Sequence, residues 1–98
     1  MSRRVVVTGV GVVSPVGTGK ERFWESLVQG KSGISRVQSM DITDYPSQIA
    51  GEITGFNPRE YIDPKDVRRL DRFTHLGAAA ALLAWEDAGL NDFNVNPD

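Results

Sequence analysis

The sequence predicts an α/β protein, on three observations. Val5-Val6-Val7 is a run of β-branched residues with no polar alternation, the pattern of a strand covered on both faces. Phe23, Trp24, Leu27 and Val28 recur at helical spacing. Gly77 to Trp85 is an unbroken apolar run rich in alanine, the strongest helix former.

The elements follow in order. Residues 4–8 read as a strand. Val10, Val12 and Val13 continue the apolar pattern past Gly9 and Gly11, as a strand with a glycine bend would. Thr18-x-x-Glu21 has the form of a capping box and predicts a helix over 19–29, with Gly30 as its left-handed C-terminal residue. Residues 31–48 are expected to be irregular. Ile49 to Ile53 predicts a short strand, and Asn57-Pro58 a turn. Asp63-Pro64 predicts a second, short helix, with the aspartate as N-cap and the proline in the first turn, where no amide hydrogen is needed. A longer helix follows over roughly 72–88, and residues 90–98 have a tail's composition. No repeat or low-complexity linker divides the chain, so 1–98 is expected to hold no internal domain boundary.

The apolar run in the long helix has no polar face. Such a helix is normally buried on every side. One further short strand and two or three helices cannot enclose both it and a doubly covered strand, so partners outside these 98 residues are expected.

Composition excludes several classes of chemistry within the chain. There is no cysteine, and hence no disulfide, thiolate metal site or cysteine nucleophile. A single histidine, His75, gives no multi-histidine metal site and reads as a packing or partly exposed helix residue. A net charge of −2 gives no global basic field, so no nucleic-acid partner is expected. No apolar run reaches membrane-spanning length, and the start lacks a signal-peptide core, so a cytoplasmic protein without a membrane partner is expected.

Gly9-x-Gly11 after a valine run suggests a dinucleotide-binding loop. That fingerprint requires a third glycine or alanine and a helix opening at the glycines. Here Ser14-Pro15 intervenes and the helix begins near Thr18. Glycines that permit a bend and close packing are the better reading, and no cofactor is expected.

The segments RRVVVTGVGVVSPVG, LVQGKSGI, IAGEITGFNP, DPKDVRRLDRF and AWEDAGL together resemble the amino terminus of β-ketoacyl-acyl-carrier-protein synthases, most closely the type II elongating enzymes of fatty-acid synthesis. The resemblance covers nearly the whole chain. It implies the amino-terminal segment of the first half of a thiolase-like fold, from a homodimeric enzyme that condenses acyl groups with malonyl-carrier-protein. It also implies a cysteine, two histidines and a lysine in motifs further along, none matched here, so the chain alone is expected to be inactive. A polyketide ketosynthase, its chain-length-factor partner and a stand-alone carrier-protein-binding module are the alternatives.

Lys65, Arg68, Arg69 and Arg72 stand at i, i+3, i+4 and i+7, a stripe about 100° wide on a helix, with Val67 and Leu70 opposite as anchors. By charge alone this fits equally a dock for an acidic partner and a solvated face paired with Asp63, Asp66 or Glu60. The resemblance assigns Lys65, Arg68 and Arg69 to acyl carrier protein binding. Arg72 matches less clearly, because its position can already belong to the next helix.

Overall fold

The computed structural model describes residues 3–92. In chain order the elements are β1 (Val13–Ser14), β2 (Gly17–Thr18), α1 (Lys20–Val28), β3 (Ile34–Arg36), β4 (Ile49–Gly51), a 3-10 turn at Pro58–Glu60, α2 (Pro64–Arg69), α3 (Arg72–Asp87) and a second 3-10 turn at Leu90–Asp92. They form two compact units, one of Val12–Asn57 and one joining Met1–Gly11 to Pro58–Asp98. The tail reading of 90–98 lies outside the described residues from 93 onward.

In the Val12–Asn57 unit, β1 and β2 form a tight antiparallel hairpin with Val13 opposite Thr18. The capping box expected at the next helix does not form. Thr18 is a strand residue, and Gly19, at φ +94°, is the N-cap of α1 without a side-chain bond. The hairpin has taken the threonine that the cap would have used, and the glycine turns the chain instead. The far end follows the sequence pattern. Gly30 is left-handed at φ +70°; its amide donates to the Leu27 carbonyl and the Lys31 amide to that of Ser26, the paired bonds of a Schellman motif. Buried Ser26 donates its hydroxyl to the Val16 carbonyl at 2.7 Å, tying α1 to the hairpin turn.

β3 and β4 pair antiparallel, with Ile34 opposite Gly51 and Arg36 opposite Ile49. β3 falls in a stretch expected to be irregular. Its three residues are too few to show alternation, and the ladder to β4 is what makes them a strand. The connecting loop carries its own small plug, the buried Ile42. Glu52 clasps it from beyond β4, its carboxylate accepting from the Gln38 amide at 2.8 Å and the Ser39 amide at 3.2 Å. The Ser39 side chain and the Gln38 amide hold this carboxyl below the usual glutamate range.

In the other unit the long helix matches its sequence reading closely. Its interior holds Ala79, with no exposed surface, and His75. The segment at Gly9–Gly11 lies directly on it. A Cβ at Gly9 would fall 2.5 Å from the Ala84 carbonyl and 2.6 Å from the Ala88 nitrogen, and one at Gly11 would meet the Ala80 carbonyl and the Ala84 nitrogen. The Val10 amide donates to Asp87 at 2.9 Å. The two glycines therefore serve close backbone packing, as the sequence suggested.

One expectation is corrected. The Val5–Val7 run carries no strand pairing, and Val5 is 93% exposed. A strand needs a ladder partner, and none of the described residues supplies one. Within the described residues the apolar helix is covered on part of its surface only, and the open part is the face for which partners outside these 98 residues were expected. Phe73, Gly77, Ala81 and Trp85, four residues apart, form an open stripe with Leu82 beside it. Phe73 alone is 74% exposed. No helix among the described residues is long and apolar enough to cross a membrane.

Candidate functional site

The predicted basic helix forms as α2. Asp63, at φ −54° and ψ 135°, accepts the Lys65 amide at 2.9 Å, and Pro64 occupies the first helical position. The helix is short because Leu70 turns to an extended conformation at ψ 149°. Arg68 and Arg69 fall in its last turn, where the carbonyl ends favour cations.

Lys65, Arg68 and Arg69 are all exposed on this one helix. They differ in their electrostatic surroundings. Arg69 Nη2 lies 2.8 Å from Asp66 Oδ1, an i,i+3 ion pair. Among the described residues, Lys65 and Arg68 have no carboxylate within ion-pair distance. The fourth cation of the sequence stripe separates from the other three: Arg72 opens α3, beyond the break at Leu70.

The anchoring also departs in part from the sequence reading. Val67 is half-buried, as an anchor should be, whereas Leu70 is exposed as it leaves the helix. The missing hold is supplied by a residue that the periodicity did not mark. His75 is buried in α3, and its Nε2 lies 3.0 Å from the Val67 carbonyl. The carbonyl can only accept, so the ring nitrogen donates and the proton sits on Nε2. One carbonyl in the last turn of α2 is thus satisfied by the next helix, which fixes how α2 presents its cations. A single histidine eight residues downstream carries no sequence signal for such a bond.

The arrangement supplies fixed positive charge and no reacting group. No cluster of His, Asp or Glu able to hold a metal ion occurs among the described residues. The Gly9–Gly11 backbone, the other candidate feature of the sequence, is closed against Ala84 and Ala88.

A sequence profile described as "Beta-ketoacyl synthase, N-terminal domain" matches residues 2–98. The chain belongs to the β-ketoacyl synthase family. Its relatives include the 3-oxoacyl-[acyl-carrier-protein] synthase 2 of Coxiella burnetii, 43% identical over 96% of this chain and 23% of that protein. The protein of the same name from Vibrio cholerae is 44% identical over 90% of the chain and 21% of that protein. Among solved structures, the ishigamide ketosynthase/chain length factor superposes with a TM-score of 0.81 at 36% identity, covering 89% of this chain and 22% of that one. The β-ketoacyl synthase chain described here therefore spans between a fifth and a quarter of these relatives' length. Its fold is part of the layered α/β, thiolase-like architecture of the family.

Proposed function

We propose that this chain is the amino-terminal segment of the first half of a 3-oxoacyl-carrier-protein synthase, and that Lys65, Arg68 and Arg69 dock the acidic acyl carrier protein. The observation that carries the docking assignment is the cap-and-anchor construction of α2. Asp63 and Pro64 start the helix, His75 holds Val67, and three cations are left exposed on one short element. A face of fixed positive charge accelerates encounter with an acidic partner more than it raises final affinity.

In the whole enzyme the reaction is a decarboxylative condensation: an enzyme-bound acyl thioester is attacked by the carbanion that malonyl-carrier-protein yields on losing carbon dioxide, giving 3-oxoacyl-carrier-protein and a free thiolate. The nucleophile lies outside these 98 residues, which contain no cysteine. A cytoplasmic homodimer without redox cofactor or metal accords with the same resemblance, and light scattering of the enzyme tests the dimer. A polyketide ketosynthase or chain-length factor is the second reading, supported by the 36% identity to the ishigamide protein. The residue at the nucleophile position of the longer chain separates the two.

The test is a pair of assays on Lys65→Glu, Arg68→Glu and Arg69→Glu in the full-length enzyme. Turnover of carrier-protein substrates should fall, and turnover of small soluble thioesters should hold. Equal loss on both substrates would remove the docking assignment.

A further inference from the structure

The three cations of α2 are not equivalent. Arg69 already holds a carboxylate, its Nη2 at 2.8 Å from Asp66 Oδ1, while Lys65 and Arg68 hold none among the described residues. Both members of the pair face water, Arg69 with 76% and Asp66 with 45% of the side chain exposed. An exposed i,i+3 pair is weak enough to be exchanged by an incoming carboxylate.

We propose that Asp66 is a built-in competitor for the docking face: an acidic partner engages Lys65 and Arg68 on encounter, and gains Arg69 only by displacing Asp66. This rests on the docking reading of α2 given above. The competition makes the face selective. A partner whose carboxylates reach only Lys65 and Arg68 binds weakly. One that also presents a carboxylate at Arg69 replaces the internal pair with its own, at little net electrostatic cost. Asp66 also lowers the local field, which restrains the attachment of unrelated acidic proteins.

The experiment measures binding of holo acyl carrier protein to the full-length enzyme by fluorescence anisotropy at low and high salt. Asp66→Asn removes the competing charge at nearly constant shape. It should tighten binding by about two- to five-fold at low salt, the range of one exposed pair. The gain should shrink as salt rises. Asp66→Glu, which keeps a carboxylate, should bind like the wild type. Because any loss of negative charge favours an acidic partner, the deciding comparison is Arg69→Gln. In that background Asp66→Asn should give less than half its original gain.

Unchanged binding by Asp66→Asn overturns the proposal. So does weaker binding, which would mean that the carboxylate orients Arg69 for the partner. An equal gain with and without Arg69 also overturns it and assigns the effect to net charge. The docking reading fails separately, if Lys65→Glu and Arg68→Glu bind carrier protein as tightly as the wild type.

Discussion

The imidazole of His75 reaches back from α3 to α2, its Nε2 standing 3.0 Å from the carbonyl oxygen of Val67. The donor belongs to a buried ring and the acceptor to the last turn of the helix that carries Arg68 and Arg69. The single histidine of the chain is therefore a clamp on the basic face. Replacing it with alanine removes the bond to the part-buried Val67 carbonyl, at about 0.5–1.5 kcal/mol. His75→Ala should lower the melting temperature and also weaken carrier-protein binding, since α2 loses its hold on the body. An unchanged melt would show that the bond is dispensable.

A second outcome concerns the glycines. Gly9→Ala and Gly11→Ala place a methyl group into the backbone of α3, so each should destabilise by about 1–3 kcal/mol or more, as overpacking does. Gly77→Ala meets no neighbouring atom within 4 Å. On the chain's own contacts it should stabilise α3 by about 0.5–1 kcal/mol through helix propensity. Urea titrations of the three variants test the ordering. If Gly77→Ala instead destabilises the full-length enzyme, another element packs on that stripe there.

The open apolar surface has a direct physical consequence for the 98-residue chain. Val5, Val7, Trp24, Val28 and Phe73 are each more than half exposed. Large apolar side chains left open to water drive association. The isolated chain should sediment as a concentration-dependent mixture of oligomers, and Val5→Lys with Val7→Lys should shift it toward monomer. A monodisperse wild-type monomer with a cooperative melt would show that these residues are covered in solution.

The Glu52 clasp predicts a pH dependence. Its carboxyl is held below the usual value near 4.5, so the folded state binds its proton less readily than the unfolded chain. The stabilisation is then fully present above about pH 4.5 and fades as the pH falls through the lower folded value. Glu52→Gln should melt below the wild type at pH 7, and the gap should close toward pH 3. A gap constant across that range would mean that the charge on Glu52 contributes nothing.

The elements legible in the sequence were those whose causes are local. Asp63-Pro64 announces α2, Gly30 ends α1, and the alanine run gives α3 to within a residue of its observed limit. What the sequence left hidden depends on partners. Val5–Val7 has the side chains of a covered strand, but no local pattern states whether a ladder partner is present. Thr18 and Glu21 have the spacing of a cap, yet pairing with Val13 draws the threonine into a hairpin. The cations of the candidate site were readable from their spacing. The break at Leu70, which separates Arg72 from them, and the bond from His75 arise in three dimensions and leave no periodic trace.

The fit of Gly9 and Gly11 on α3 also sets a ruler. Gly9 lies against Ala84 and Ala88, and Gly11 against Ala80 and Ala84, so each glycine seats in a notch one helical turn from the next. A turn rises about 5.4 Å, close to the span of two residues of stretched chain, so the two periods nearly match and sliding by one notch would be tempting. A slip toward the start of the helix would bring Gly11 to Leu76 and Ala80, where the row of alanines spaced one turn apart ends. The bond from the Val10 amide to Asp87 holds the opposite end. Two glycines, three alanines, one leucine and one aspartate thus act as a keyed rail, admitting a single position along an otherwise repetitive helix.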